Sequence, residues 1–398
     1  MRVLFIQHES KLWGTARSLL GLIDQLKPNG VQPLVVTRDD GPLAEELSAR
    51  GIPYRVCQWR TWVADENTAI WRRRLHGYRC LVANRRPSRM LLAEISKFRP
   101  DLVHSNTIKT NFGQEIARRI GKPHLWHCRE FVGGENSVGT EWSLGYRSTA
   151  RIMSEQGNLM IAISNAVAQH MRNSGFRVPL YVVYNGVMSL DEMARNVTEL
   201  PSSSNGVRFA LIGRYDDAKE PHIAIRAMGI LKKRGVRCSL KIVGDGTPAQ
   251  ATALTCLAKS VGVNDCVEFA GYVDDVPTLL KNVHALVMPS RADAFGRVTA
   301  EAMALGRPVI GADACATREL VRDGIDGLLF PLGDATALAD RMQELIGDPN
   351  RMVNMGHRAA ERAKLEFTNE RYGQAVMDIY NELNGSNCPR AKDPGKCM

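Results

Sequence analysis

The chain alternates short uninterrupted apolar runs with stretches whose apolar residues recur every three or four positions. A first series of runs is RVLFI (2–6), PLVVT (33–37), DLVHS (101–105), HLWHC (124–128), LMIAIS (159–164) and LYVVY (180–184). A second is VRFALIG (207–213), SLKIVG (239–244), CVEFAG (266–271), ALVMP (285–289), RPVIGA (307–312) and GLLF (327–330). Runs without a polar alternate face are expected of strands buried on both sides, as in a parallel sheet covered by helices. Two such series predict an α/β fold of two Rossmann-like, doubly wound parallel-sheet domains.

The same pattern sets the boundaries. Residues 1–187 form the first domain, and the polar stretch MSLDEMARNVTELPSSSNG (188–206), with Pro201 and a serine run, is expected as a linker. Residues 207–366 form the second domain. A helical repeat of Tyr372, Val376, Ile379, Tyr380 and Leu383 predicts a closing helix over 367–386 that crosses back to the first domain, before an unstructured tail at 387–398.

Residues 59–89 interrupt the α/β rhythm. Trp71, Leu75, Tyr78 and Val82 form one apolar stripe at helical spacing, and Arg72, Arg73, Arg74, Arg79, Arg85 and Arg86 crowd the other faces. Two readings are open. The helix rests on anionic lipid or holds a diphosphate-bearing acceptor, or it packs its stripe onto the domain and leaves a solvated arginine face.

Charge sharpens this. The 398 residues carry a formal net charge of +10, and up to Val187 there are 26 Lys and Arg against 15 Asp and Glu, so the excess lies in the first half. An anionic partner for that half is expected: a membrane surface, a phosphorylated substrate or nucleic acid. Nucleic acid is disfavoured, because the arginines lie in no helix-turn-helix, RRM or zinc pattern. The nine cysteines are scattered without a C-x-x-C spacing, as expected of reduced thiols. No run of eighteen apolar residues occurs, and the first apolar stretch breaks at QHESK, so a cytoplasmic location is expected.

Three segments carry candidate chemistry. In SRADAFGRVTAEAMALGRPVIG (290–311) a strand runs through a glycine loop into a helix, so the first free N–H groups around Arg297 and Val298 face a bound phosphate. Glu301, one turn in, can accept from a ribose, while Asp293 before the turn can grip a sugar beyond the phosphate. In GRYDDAK (213–219), Arg214 and Lys219 follow a strand end and suit a diphosphate, Arg as a fork and Lys as a point charge. In FAGYVDDVP, the backbone of Gly271, Tyr272 and Val273 leaves a strand edge that can read a base.

Together these segments resemble the family 4 glycosyltransferases of GT-B architecture, two Rossmann-like domains facing a cleft. The family motif E-x7-E within EPFGxxxxEAMAxGxPVI stands here as DAFGRVTAEAMALGRPVI, with Asp293 in place of Glu. NGV (185–187), GRYDDAK, VGDG (243–246) and ELVRDGIDGLLFPLGD (319–334) fall in family order. The resemblance implies retaining transfer of a sugar from a nucleotide diphosphate to an acceptor. Arg214 and Lys219 would hold the diphosphate, Glu301 the ribose, and Asp293 with the backbone at Phe295 and Gly296 the donor sugar. His127, in WHCREF (126–131), stands where the family contacts the sugar near its reacting carbon. Glu130 is expected to orient it or to meet the acceptor. Asn106 in HSN (104–106) lines the same cleft or caps the next helix.

Two departures bear on the donor. The family's G-G-x-E-R loop is WGTAR (13–17), which keeps Gly14 for close approach to phosphate and Arg17 on the acceptor side. A family Gly-Gly pair is replaced by Cys315 and Ala316. No D-x-D pair occurs, so neither a metal nor another cofactor is expected. The expected partners are a UDP- or GDP-sugar donor and a glycan or lipid-linked acceptor, with Arg72, Arg73 and Arg74 on the acceptor side, at an anionic membrane surface on the inner face of the cell membrane. A soluble enzyme acting on a small molecule or sugar phosphate is the alternative. The base, sugar, linkage and oligomeric state are not legible.

Overall fold

The computed structural model describes residues 1–134, 137–155, 157–204 and 206–384. The expected tail, 387–398, lies outside the described residues. The chain divides into two compact units, Met1–Gly186 with the segment from Asn369 onward, and Val187–Thr368.

Among the described residues the first unit has strands β1 (Arg2–Gln7), β2 (Gln32–Thr37), β3 (Tyr54–Val56), β4 (Val63–Asp65), β5 (Leu102–Ser105), β6 (His124–Cys128), β7 (Thr140–Trp142), β8 (Asn158–Ala162) and β9 (Leu180–Val182). Seven form one parallel sheet in the order β3-β2-β1-β5-β6-β8-β9, while β4 and β7 pair antiparallel beside it. Side chains of one strand alternate between two cores, as a period of two requires. Val3 and Phe5 face the helix Gly14–Leu26 and the terminal helix Asn369–Asn384, whereas Leu4 and Ile6 face Trp59, Leu91 and Phe112. The terminal helix comes close because Gly373 has no side chain: a Cβ there would lie 2.3 Å from Gln25 Cβ.

The second unit has β10 (Val207–Ile212), β11 (Cys238–Val243), β12 (Val267–Gly271), β13 (Ala285–Met288), β14 (Val309–Ala312) and β15 (Gly327–Phe330), parallel in the order β12-β11-β10-β13-β14-β15. In each sheet the direction of strand addition reverses beside the first strand, between β1 and β5 and between β10 and β13. Loops diverge at such a switch point and open a crevice at the carboxyl ends of the strands.

Two expectations need correction. The stretch 188–206 is not a plain linker. It contains the helix Leu190–Asn196, started by a reciprocal capping box between Ser189 and Glu192. The backbone beyond it is held by the fully buried Arg307, which donates to the carbonyls of Thr198, Glu199, Leu280 and Lys281 and to Thr198 Oγ1 at 2.6–3.2 Å.

The arginine-rich segment is the second correction. It is a pair of helices, Ile70–Ala83 and Arg85–Glu94, broken at the buried Asn84, whose side chain bonds the Arg60 backbone and Asn111. The apolar stripe does not pack inward. Trp71, Tyr78 and Val82 are 62–65% exposed and Leu75 is 43% exposed. The buried side carries Gly77 and Cys80 instead, because the helix lies too close for bulk: a Cβ on Gly77 would meet Leu144 Cδ2 at 2.7 Å. No helix among the described residues is long and apolar enough to cross a membrane.

Candidate functional site

At the switch point of the second sheet, the floor is glycine backbone. Gly244, at φ +138°, passes so near β10 that a Cβ on it would lie 1.9 Å from the carbonyl oxygen of Gly213. The Lys219 side chain lies across Gly213, and its Nζ sits 2.5 Å from Asp293 Oδ1. Asp216 organises this loop: its carboxylate accepts from the Lys219 backbone N–H at 3.2 Å and pairs with Arg214 at 2.5 Å. Arg214 is otherwise exposed, with 68% of its side chain open to solvent. The two cations therefore differ: one is fixed against a carboxylate and the other is displayed on a short tether.

The loop after β13 supplies the opposing wall. Asp293 is buried, and its Oδ2 has no partner among the described residues, nor do the buried hydroxyls of Ser290, Thr299 and Thr317. Gly296, at φ +78°, precedes the helix Arg297–Ala304 and has no side-chain cap over its N–H groups. Phe295 is buried edge-on against Phe367 with ring centroids 6.0 Å apart, which pins the turn. Glu301 is not a free acceptor. Its Oε1 lies 2.7 Å from Arg297 Nε, and Arg297 also donates to the Val187 carbonyl at 3.0 Å. Val298 is half-buried at the start of the same helix. Gly271, at φ +67°, Tyr272 and Val273 form the open edge after β12.

Sequence reasoning missed one residue here and did not foresee the backbone of another. Glu220, a non-glycine at φ +45°, buries its carboxylate against Arg291 at 2.9–3.0 Å and so ties the loop after β10 to the loop after β13. Cys315, at φ +43°, explains why the family pattern has glycine there: the backbone is left-handed. The Cys315 thiol is pushed up to about 11, by burial first and then by Asp293 and Glu319.

In the first unit, Gly14 opens the helix Gly14–Leu26 behind an extended Trp13 that offers no side-chain cap. Arg17 donates Nε to the Leu12 carbonyl at 3.0 Å and so braces that turn. Asn106 is not available to an acceptor. It is fully buried, donates to Gln7 Oε1 at 2.6 Å and the Thr15 carbonyl at 3.3 Å, and accepts from Arg129 Nε at 2.5 Å. Glu130 does not orient His127: its Oε1 closes the loop after β5 by accepting from Thr107 Oγ1 at 3.0 Å and the Ile108 N–H at 3.2 Å.

His127 is held by groups the sequence did not reveal. His104 Nε2 lies 3.0 Å from its Nδ1, and Arg129, itself buried, approaches the same nitrogen at 3.5 Å. Arg129 also donates to Asn185 Oδ1 and to the Tyr372 hydroxyl, each at 2.6 Å. Burial, then Arg129, then His104 drive the His127 pKa well below the usual histidine value, so the ring is neutral at physiological pH. Its Nε2 is buried without a partner among the described residues.

On the helix Ile70–Ala83, Arg73 turns inward to within 3.8 Å of Glu141, and Arg72 lies 5.1 Å over the Trp71 ring. Arg72 and Arg74 are exposed beside the apolar stripe.

Comparison with known proteins places both units. Residues 14–188 match the family described as Glycosyltransferase Family 4, and residues 195–362 match Glycosyl transferases group 1. N-acetyl-alpha-D-glucosaminyl L-malate synthase of Bacillus anthracis is 35% identical over 58% of this chain and 61% of its own length. The lipopolysaccharide core biosynthesis glycosyltransferase LpsE of Rhizobium meliloti is 28% identical over 55% of this chain and 62% of its own. D-inositol 3-phosphate glycosyltransferase of Salinispora tropica is 30% identical over 52% and 44%. The chain thus spans about half the length of the curated relatives it matches. Among solved structures, Anabaena HepE in complex with UDP-glucose superposes with a TM-score of 0.77 at 23% identity, covering 96% of this chain and all of that one. That likeness establishes the GT-B fold.

Proposed function

The chain belongs to the family 4 glycosyltransferases, and from that premise we propose that it moves a sugar from a nucleoside diphosphate sugar to a glycan acceptor with retention of configuration. The observation that carries this reading is the pairing of Lys219 with Asp293 across the switch point of the second sheet, with Asp293 Oδ2 unpartnered. Lys219 and the displayed Arg214 supply positive charge to a departing diphosphate, the largest single catalytic term such a site offers. The free oxygen of Asp293 and the backbone at Phe295 and Gly296 accept and donate to hydroxyls of the transferred sugar. Glu301 receives the ribose with the carboxylate oxygen not held by Arg297. His127 is proposed as a donor to a sugar hydroxyl.

Because two cations neutralise the diphosphate, turnover is proposed to be metal-independent. A UDP-sugar is the first donor to test, since the HepE structures hold UDP and UDP-glucose. The proposed acceptor is a lipid-linked oligosaccharide of a cell-surface polysaccharide. A lipopolysaccharide core enzyme is among the relatives, and so is the Bacillus subtilis protein named as putative glycosyltransferase EpsD, 26% identical over 74% of this chain. The exposed ridge of Trp71, Leu75, Tyr78 and Val82, flanked by arginine, supports peripheral binding to an anionic membrane. A soluble acceptor is the second reading, supported by the malate and inositol phosphate named in two relatives and by the basic first half, which would steer an anion.

A panel of UDP-, GDP- and ADP-sugars, scored for nucleotide release with and without acceptor extract, tests the proposal. Release that needs one donor and an acceptor, and survives EDTA, is the expected result.

A further inference from the structure

We infer that Arg129, together with the Tyr380–His104 pair, fixes His127 as the neutral tautomer carrying its proton on Nε2, so that the ring acts as a hydrogen-bond donor and not as a base. The catalytic consequence rests on the proposed function; the tautomer does not.

The chain of contacts runs from the terminal helix into the sheet. Tyr380 Oη lies 2.6 Å from His104 Nδ1, and His104 Nε2 lies 3.0 Å from His127 Nδ1. Two neutral imidazoles in series allow only two proton arrangements. In one, Tyr380 O–H donates to His104 Nδ1, His104 Nε2–H donates to His127 Nδ1, and His127 is left with Nε2–H. In the other every proton is reversed, and His127 presents a lone pair at Nε2.

Arg129 breaks the tie. A guanidinium has only donors, and its Nη2 faces His127 Nδ1 at 3.5 Å, which is long for a hydrogen bond but close for a charge in a dry interior. The reversed arrangement would point an N–H dipole at that cation; the forward arrangement points a lone pair at it. The cation is not cancelled locally. Its partners Asn106, Asn185 and Tyr372 are neutral, and no carboxylate pairs with it among the described residues.

The other groups around the ring agree. His104, Tyr380 and His127 are fully buried. Burial holds the Tyr380 hydroxyl well above its usual pKa, so it keeps its proton. Burial, Arg129 and His124 hold His104 neutral. Tyr372 packs edge-on to His127, and the residue paired with it on β8 is the apolar Ile161. Tyr380 and His104 are therefore positioning residues, and His127 Nε2–H is the group that meets a ligand.

Long-range proton–nitrogen spectra of the 15N-labelled full chain read the tautomer directly, with His127→Gln identifying the signal. The inference expects an unprotonated Nδ1 and a protonated Nε2 from pH 8 to about 5.5, because the ring stays neutral below the ordinary histidine pKa. A protonated Nδ1, or an imidazolium in that range, overturns it. Arg129→Gln should yield a mixture of tautomers. An unchanged tautomer in a folded Arg129→Gln protein overturns the role of the guanidinium. In turnover, His127→Gln keeps an N–H donor but cannot act as a base. It should stay within about tenfold of the parent, while His127→Leu falls on the order of a hundredfold. Equal loss in both variants overturns the donor role. If no sugar nucleotide is turned over, the proposed function fails, and the spectra still decide the tautomer.

Discussion

Lys219 Nζ and Asp293 Oδ1 lie 2.5 Å apart, although 74 residues separate them in the chain. One comes from the loop after β10 and the other from the loop after β13, so their contact marks the switch point itself. The side chains are 22% and 10% exposed, which makes the pair strong enough to fix both groups and open enough to face a ligand. Asp293→Ala removes both the anchor of Lys219 and the free Oδ2. It is expected to lower kcat/KM by roughly a hundredfold, about 2.7 kcal/mol of transition-state stabilisation. Asp293→Glu should keep the fold and change the ratio of rates among donors, because the carboxylate reaches one methylene further. Steady-state kinetics on two sugar nucleotides checks both.

The exposed ridge makes a prediction about location. Replacing Trp71, Tyr78 and Val82 together by serine should abolish co-sedimentation with anionic vesicles and leave the melting temperature little changed, since these side chains are 62–65% exposed. Replacing Arg72, Arg74 and Arg79 by glutamine should weaken binding by about 1 kcal/mol per charge, more at low salt than at high. Binding that survives both sets would show that this ridge is not the membrane-binding surface, and absence of binding by the parent chain would remove the membrane altogether.

Much of this architecture is written in the chain, and the exceptions have physical causes. The strands were legible because β13 and β14 are buried on both faces and wholly apolar, while β1, β5, β6 and β8 are buried on both faces beyond Arg2 and carry apolar runs between a few buried polar residues. The i,i+4 spacing of Arg297 and Glu301 was visible, but a partner for Glu301 was not expected of a residue assigned to ribose. Periodicity found the stripe on the helix Ile70–Ala83 yet could not say which side faces the protein. The answer turned on Gly77, whose missing side chain lets that face approach Leu144. Arg129 was overlooked because its partners Tyr372 and Asn185 lie 243 and 56 residues away. The helix after Ser189 was masked by the serine and proline that follow it, although the Ser189–Glu192 capping spacing was there to be read.

Arg307 offers a test of the second unit's stability. It is fully buried and satisfies four carbonyl oxygens and one hydroxyl drawn from two separate segments. Arg307→Met fills similar volume but leaves those acceptors unpaired, so a loss of about 3–5 kcal/mol is expected in the unfolding transition of that unit. Urea titration followed by limited proteolysis between the units measures it.

Acid sensitivity should reside in the first unit. Burial pushes His124 down to about 3, and His104 and His127 are also driven well below the ordinary value near 6.5. A histidine whose folded pKa is depressed binds its proton in the unfolded chain first. Stability from these three is therefore full above pH ~6.5 and lost as pH falls from there toward the folded pKa, by at most ~1.4 kcal/mol per pH unit for each ring. Melting temperatures should be flat between pH 7 and 8 and drop between pH 6.5 and 5. A flat profile down to pH 5 would show that the rings are not held neutral.

Lys219 and Arg214 are proposed to neutralise a departing nucleoside diphosphate. The most direct measurement is the kcat of nucleotide release for the parent, Lys219→Ala and Arg214→Ala, with the matched donor, an acceptor and EDTA. Loss of about a hundredfold or more in each variant, with both chains still folded and cooperative in thermal unfolding, is the predicted result. Full activity in either variant would show that the cation removed does not neutralise the diphosphate.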